Sequence, residues 1–151
     1  MERTLVLIKP DAMQRGLAGE IIQRLEQRGL KIAGMKLIQI PRAVAEEHYG
    51  HHSDKPFFRG LVDFITSTPV IAAVFEGHNA IKAVRQAAGL TNPLHDDARS
   101  GSIRSDFGLD AGRNLIHASD APETAAVEIA RFFRPEEVIG WSRATDPWIF
   151  E

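Results

Sequence analysis

The sequence predicts a single α+β domain in which helices cover an antiparallel sheet, and three observations indicate this fold class. The 151 residues are 44% hydrophobic and 25% charged, which suits one globular domain with a buried core over residues 1–151. Short β-rich runs alternate with amphipathic helical patterns along the chain. No internal repeat, linker or low-complexity tract divides it.

The first half of the chain is predicted to hold two strands separated by a helix. Thr4 to Ile8 is an apolar, β-branched run that ends before a proline, so it is predicted as the first strand. From Ala18, apolar residues recur at i, i+3, i+4 and i+7 until Gly29, which is typical of an amphipathic helix. Lys31 to Ile40 is predicted as the second strand. Short helices are expected next, over 43–50 and 58–66.

The third strand is predicted over Val70 to Phe75, and a helix should follow it. Asn79 is a candidate N-cap for this helix, which should end at Gly89. Residues 90–104 carry turn-forming residues and mixed charge, so we expect a long ordered loop there.

The last part of the chain is predicted to form a fourth strand and a final helix. Leu115 to His117 is expected to be a central strand, and Asp120 with Glu123 forms an Asp-x-x-Glu capping signal for a helix through about Phe133. The resulting order, β-α-β-β-α-β with extra helices, predicts a ferredoxin-like sheet covered by helices.

The bulk composition excludes several classes of protein. A formal net charge of -2 and a pI near 6.3 give no overall basic field for binding nucleic acid phosphates. No segment approaches the roughly 20 apolar residues that a membrane span requires. The absence of cysteine excludes a disulfide framework, a thiolate metal site and a thiol nucleophile. A cytoplasmic enzyme or binding module fits these properties.

Two cationic side chains are candidates for an anion site, although the usual phosphate motifs G-x-x-x-x-G-K-[ST] and G-x-G-x-x-G are absent. Arg85 falls on the same helical stripe as Ile81 and Val84, where it either lies along the apolar surface near the helix C-terminus or binds an anion. Lys9 ends the first strand, so its side chain is either solvated or faces a ligand crevice.

The histidine pattern leaves two interpretations open. His48, His51 and His52 have helix-like spacing, but no carboxylate or cysteine pattern accompanies them, which favours a surface cluster over a metal site. His117 ends an apolar strand just before a helix start, a junction suited to exposing a reactive side chain, and a structural histidine is the alternative.

Glu128 is not marked as functional by periodicity. The apolar stripe of the last helix is predicted as Ala126, Ile129, Ala130 and Phe133, which leaves Glu128 near the opposite face. Its spacing therefore predicts a solvated carboxylate.

Seven short motifs together closely resemble the nucleoside diphosphate kinase family, and they occur in order through nearly the whole chain. They are Ile8-Lys9-Pro10-Asp11, Gln14-Arg15-Gly16-Leu17, Glu47-His48-Tyr49, Lys55-Pro56-Phe57-Phe58, Thr91-Asn92-Pro93, Gly112-Arg113-Asn114 and Ile116-His117-Ala118-Ser119-Asp120. The combination is far more specific than any single histidine.

The resemblance implies transfer of a γ-phosphoryl group from ATP or another nucleoside triphosphate to a nucleoside diphosphate by a ping-pong mechanism. His117 would carry the group on Nδ1, with Glu128 and Ser119 orienting the ring. The pattern further implies contacts with the phosphates, the sugar and the base. The phosphates would be contacted by Lys9, Tyr49, Arg85, Thr91 and Arg104. The sugar hydroxyls would be contacted by Asn114 and Lys9, and the base by Phe57 and Leu61. Broad base tolerance is expected, because a stacked ring reads no base edge.

The resemblance also implies a cofactor and partners. Mg²⁺ would be carried by the nucleotide phosphates, so no pre-bound metal is predicted. A homo-oligomer is expected, as a hexamer or alternatively a tetramer or dimer, and the C-terminal Trp148-Ile149-Phe150-Glu151 resembles a tail that packs on a neighbour. No specific nucleic acid and no membrane are expected as partners.

The sequence departs from the usual family pattern in several places. Ala12 and Ala118 stand where glycine is common, which adds a Cβ and restricts positive φ. Residues 94–100 form a segment about two residues longer than the common form. Ala111 replaces a larger branched residue and is expected to loosen the base side of the pocket.

Two rival functions follow from the same features. A catalytically silent nucleotide-binding protein would bind nucleotide without forming phosphohistidine. A ferredoxin-like nucleic-acid-binding module is the other alternative, but the aromatic RNA-binding motif of such modules is absent.

Overall fold

The computed structural model describes residues 1–151 and contains one four-stranded antiparallel sheet with helices on both faces. Its strands are β1 (Glu2–Ile8), β2 (Lys31–Ile38), β3 (Val70–Gly77) and β4 (Ile116–Ala118), in the order β2-β3-β1-β4. This is the strand order of a ferredoxin-like sheet, so the predicted fold class is confirmed. All four predicted strands are present, and β1 and β3 are each two residues longer than predicted, at the start and at the end respectively.

Seven helices and three short 3-10 turns accompany the strands, and the last helix and the last two turns follow β4. The helices are α1 (Pro10–Gln14), α2 (Ala18–Gln27), α3 (Arg42–His48), α4 (Phe58–Ile65), α5 (Ala80–Ala88), α6 (Ile103–Phe107) and α7 (Pro122–Phe132), and the 3-10 turns span Gly50–His52, Pro135–Glu137 and Asp146–Trp148. The predicted loop over residues 90–104 runs into α6. No helix has the length and apolar character needed to cross a membrane.

The position of β4 corrects the prediction of a central strand. β4 has three residues and pairs only with β1, which places Leu7 opposite His117. It lies at the edge of the sheet, next to the central strand β1.

Both predicted helix caps differ in the structure. Asn79 precedes α5 but adopts a left-handed conformation (φ 54°) without a capping bond, and the carboxylate of Glu2 instead accepts a hydrogen bond of 2.8 Å from the backbone N–H of Ile81. Asp120 does not cap α7. That helix begins at Pro122, whose fixed φ suits the first helical position and whose missing N–H needs no cap.

Alternation along the strands divides the core into two layers. Val6 and Ile8 of β1 face α2 and α5, whereas Leu5 and Leu7 face α3, α4 and α7. Ile116 and Ala118 of β4 belong to the first layer. His117, between them, therefore points to the face covered by α3 and α7, and this placement creates the site.

Candidate active site

The side chains of His117, Glu128 and Ser119 form a hydrogen-bonded chain between β4 and α7. Nε2 of His117 lies 3.1 and 3.0 Å from the two carboxylate oxygens of Glu128. The Ser119 hydroxyl donates a 2.6 Å bond to Oε1 of Glu128 and accepts a 3.2 Å bond from the backbone N–H of Leu5. A carboxylate only accepts hydrogen bonds, so this contact assigns the ring proton to Nε2 and leaves the lone pair on Nδ1.

The burial of Glu128 corrects the interpretation from helical periodicity. The buried face of α7 is formed by Ala125, Glu128 and Phe132, whereas Ala126 and Ala130 of the predicted stripe are exposed. Burial by itself raises the pKa of Glu128. The hydrogen bond and charge of His117, together with the Ser119 hydrogen bond, outweigh it and hold that pKa at about 2. The carboxylate is therefore ionised and fixed behind the histidine ring.

His48 also corrects the expectation of a surface cluster. Its ring is buried on α3 and meets the His117 ring edge to face, with centroids 4.6 Å apart and planes 77° apart. Nη1 of Arg131 lies 3.0 Å from Nδ1 of His48, and burial followed by the charge of His117 lowers the pKa of His48 to about 3. His51 is exposed and His52 half-buried. The sequence feature that indicates burial of His48 is its i+3 spacing from Ala45, which is also buried on α3.

A cavity of about 410 Å³ opens over the histidine and contains most of the predicted site. Nine predicted residues line it: Lys9, Tyr49, Leu61, Arg85, Thr91, Arg104, Asn114, His117 and Glu128. Ser119 lies beneath it, and Phe57 is 51% exposed outside this lining, packed edge to face on His52 with ring centroids 5.2 Å apart. Three further polar residues line the cavity without having been predicted as site residues: His51, Asp120 and Thr124. The spacing of His51 favoured a surface cluster, and that of Asp120 a helix cap.

Lys9 enters the cavity from the end of β1. Its Nζ donates a 2.7 Å hydrogen bond to Oδ1 of Asn114, whose amide donates a 3.0 Å bond to the carbonyl of Thr91. Burial, and then the positive charge of Arg104, lower the pKa of Lys9 to about 8. Lys9 is thus a cation that lacks an ion-pair partner and faces space suited to an anion.

Arg104 is held rigidly by backbone carbonyls. It donates to the carbonyls of Gly89 (2.9 Å), Asn114 (3.2 Å) and Ile116 (2.6 Å), and burial followed by the charge of Arg85 lowers the pKa of Arg104 to about 10. Arg85 is exposed on α5 and donates a 3.2 Å bond to the carbonyl of Ala118. No carboxylate pairs with either arginine, which leaves both charges available to a ligand.

A strained turn immediately before β4 positions Asn114 and His117. Leu115 has a φ of 76°, and the N–H of Ile116 donates to the carbonyl of Asn114 at 2.9 Å across it, which is a γ-turn. Asp11 stabilises the turn by accepting a 3.0 Å bond from the N–H of Leu115. Such a conformation costs about 1–3 kcal/mol and persists only where the surroundings enforce it.

The departures from the family pattern meet no backbone strain. Neither Ala12 nor Ala118 has a positive φ, so the added Cβ atoms fit ordinary conformations. Ala111 is exposed and does not line the cavity.

Tyr49 lines the cavity, and burial followed by the charge of Glu128 raises the pKa of Tyr49 to about 12, which keeps its hydroxyl protonated.

An imidazole held from behind by a carboxylate and facing uncompensated cations is typical of a phosphotransferase with a histidine nucleophile. The model of the family described as nucleoside diphosphate kinase matches residues 2–138, and the chain belongs to that family. Nucleoside diphosphate kinases transfer the γ-phosphoryl group of a nucleoside triphosphate to a nucleoside diphosphate by a ping-pong reaction through phosphohistidine, and they generally need a divalent cation.

Individual relatives agree with this assignment. The chain is 56% identical to a nucleoside diphosphate kinase of Archaeoglobus fulgidus, with 100% of this chain and 99% of the relative covered, and 55% identical to one of Carboxydothermus hydrogenoformans, with both fully covered. A solved structure of a halophilic nucleoside diphosphate kinase from Halobacterium salinarum in complex with CDP superposes with a TM-score of 0.95 at 50% identity, covering 99% of each chain. The chain therefore has nucleoside diphosphate kinase function.

Proposed function

We propose that His117 is the residue that carries the phosphoryl group, and that Nδ1 is the reacting atom. The observation that carries this proposal is the 3.0 Å contact between Nε2 of His117 and Glu128, because it commits Nε2 as a donor and leaves Nδ1 without a protein partner. Glu128 and Ser119 act through the ring, by holding its orientation and tautomer.

The proposed reaction has two matched steps. The lone pair of Nδ1 attacks the γ-phosphorus, the bond from that phosphorus to the β–γ bridging oxygen breaks, and its electrons leave on the nucleoside diphosphate. A β-phosphate oxygen of a second nucleoside diphosphate then attacks the phosphohistidine and takes the group, which returns the electron pair to Nδ1. Glu128 offsets the positive charge that develops on the ring in the first step.

The cations of the cavity serve the phosphates in this proposal. Lys9, Arg85 and Arg104 neutralise charge on the phosphate oxygens, and Thr91 and Tyr49 donate hydrogen bonds to them. Their placement around one cavity supports these roles. Mg²⁺ enters with the nucleotide as part of the substrate and is held by the phosphates, which suits a lining that offers few free carboxylates.

The remaining contacts set a broad substrate range. Asn114 and Lys9 bind the sugar hydroxyls, and Phe57 with Leu61 contacts the base. The exposed ring of Phe57 offers a face for stacking and no hydrogen-bond pattern for a base edge, so ATP and other nucleoside triphosphates are all substrates.

The proposal also covers the setting in which the enzyme works. Residues 1–151 form one nucleoside diphosphate kinase-like domain that assembles into a homo-oligomer, as a hexamer or alternatively a tetramer or dimer. Its location is cytoplasmic, where nucleoside triphosphates are made and used, and neither a membrane nor a specific nucleic acid is a partner.

The carrier role is tested by labelling with γ-labelled ATP and Mg²⁺, intact-mass analysis under alkaline conditions that preserve phosphohistidine, and a chase with GDP. The protein should gain one phosphoryl group that then moves to GDP. His117→Ala should lose transfer completely and still bind nucleotide, whereas the control His95→Ala, at an exposed position outside the cavity, should transfer normally. Transfer by pure His117→Ala would contradict the proposal, and a folded protein that binds nucleotide without labelling would be a silent relative.

A further inference from the structure

We propose that His48, His117 and Glu128 form a latent site for a borderline divalent transition metal such as Zn²⁺, and that a metal bound there inhibits phosphoryl transfer. Each of the three residues offers one ligand atom, and these atoms lie within 4.8 Å of one another. The inhibition rests on His117 as the phosphoryl carrier, whereas the binding of metal does not.

The distances within the cluster are near those of a metal centre. Oε2 of Glu128 lies 3.0 Å from Nε2 of His117 and 3.7 Å from Nδ1 of His48. Ligands of a tetrahedral zinc, with metal bonds of about 2.0–2.2 Å, lie roughly 3.3 Å apart, so the two distances to the carboxylate need shifts of only a few tenths of an ångström. The two imidazole nitrogens lie within 4.8 Å of each other and must move closer together when the metal binds. Two imidazoles and one carboxylate suit zinc and leave a fourth position open, whereas Mg²⁺ prefers oxygen ligands.

A second cavity gives a metal access to this cluster without passing through the nucleotide cavity. It measures about 430 Å³, contains His48 and Glu128, and is lined by the single cation Arg131 in place of Lys9, Arg85 and Arg104. Glu47, Glu123 and His51 also line it. The two extra carboxylates attract a cation.

A metal bound at this site would make Nδ1 of His117 unreactive without obstructing the nucleotide cavity. A metal on Nε2 of His117 uses the lone pair of that atom, so the single proton of the neutral ring must lie on Nδ1. Nδ1 then has no lone pair for the γ-phosphorus, and Glu128 no longer holds the reactive tautomer. Inhibition should consequently persist at saturating nucleotide.

Arg131 competes with the metal for His48. Its guanidinium lies 3.0 Å from Nδ1 of His48, so a metal must displace this hydrogen bond, and the positive charge opposes cation binding. Glu47, 3.4 Å from Nε of Arg131, can retain the displaced side chain. Arg131 thus keeps the cluster free of metal at low metal concentrations.

The first test measures steady-state transfer against buffered free Zn²⁺ at saturating Mg²⁺-nucleotide, with each variant normalised to its own metal-free rate. His48→Phe removes the ligand and keeps a ring against His117, so it should need at least about tenfold more Zn²⁺ for half-inhibition. The matched control His95→Phe should behave like the unmodified protein. Equal sensitivity of His48→Phe, or inhibition relieved by more nucleotide at constant free Zn²⁺, would overturn the proposal.

The second test follows binding independently of activity, by the visible absorption of tetrahedral Co²⁺. The unmodified protein should give this absorption, and His48→Phe and His117→Ala should lose it. Arg131→Gln should be inhibited at several-fold lower Zn²⁺ than the unmodified protein. Full Co²⁺ absorption in His48→Phe, or unchanged sensitivity of Arg131→Gln, would show that Nδ1 of His48 is not the third ligand.

Discussion

Lys9 is a residue whose charge changes within the working pH range of the protein. Its pKa of about 8 means that the side chain is positive below that pH and neutral above it. We expect kcat/KM for a nucleoside triphosphate to fall as pH rises through about 8, because the phosphates lose a cation. Bound phosphate stabilises the charged form, so the corresponding fall in kcat should occur at higher pH.

The substitution Lys9→Arg tests the origin of this alkaline limb in rate measurements from pH 6 to 10. A guanidinium stays charged throughout that range, so the fall near pH 8 should disappear even though the altered geometry at Asn114 lowers the overall rate. A limb that stays at the same pH in Lys9→Arg would assign the titration to another group.

The spacing of single residues was a poor guide to which side chains lie in the candidate site. Periodicity alone placed Glu128 on the solvent side of α7, because its burial is stabilised by two partners, His117 and Ser119, that lie outside the helix. Only the resemblance to the family indicated the proposed role of Glu128 beside His117. The spacing of the three histidines favoured a surface position for His48. That spacing carries no information about the His117 ring of β4, against which His48 packs.

At the scale of elements, α5 takes its N-terminal hydrogen bond from a distant strand. The carboxylate of Glu2 in β1 accepts the 2.8 Å bond from the N–H of Ile81, while Asn79 contributes none. Glu2→Ala should therefore lower the free energy of unfolding by about 1 kcal/mol, a typical cost of losing a helix cap. Urea unfolding followed by circular dichroism measures this change.

Asn79→Gly is the matched comparison for this cap. Glycine adopts positive φ readily and no capping bond is lost, so the substitution should leave the free energy of unfolding within about 0.5 kcal/mol. A larger loss in Asn79→Gly than in Glu2→Ala would return the capping role to Asn79.

Element types were predicted more reliably than their contacts. Each strand followed from a run of apolar or β-branched residues, and Gly29, with a φ of 100°, lies just beyond the end of α2 as expected. The cap from Glu2 depends on a residue more than 70 positions away from the helix. The edge position of β4 depends on the strand order, which the local sequence pattern does not encode.

At the scale of the whole molecule, β2 is one of the two edge strands of the sheet. The N–H groups of Ile139 and Trp141 donate hydrogen bonds of 2.8 Å to the carbonyls of Ala33 and Ile32 in the first part of β2. In the second part of this strand, Met35 and Leu37 are 38% and 64% exposed. Unpaired edges with exposed apolar side chains are sites at which chains associate. We therefore expect the proposed homo-oligomer to use this edge for one of its contacts.

Leu37→Lys should weaken this contact, because a lysine on an edge strand places charge where a second copy would pack. Sedimentation velocity over a range of protein concentrations should show a smaller species than for the unmodified protein. Val127→Lys is the control, since Val127 is also exposed (57%) but lies on α7, away from β2. An unchanged sedimentation coefficient for Leu37→Lys would exclude the β2 edge, and a monomeric unmodified protein would refute assembly altogether.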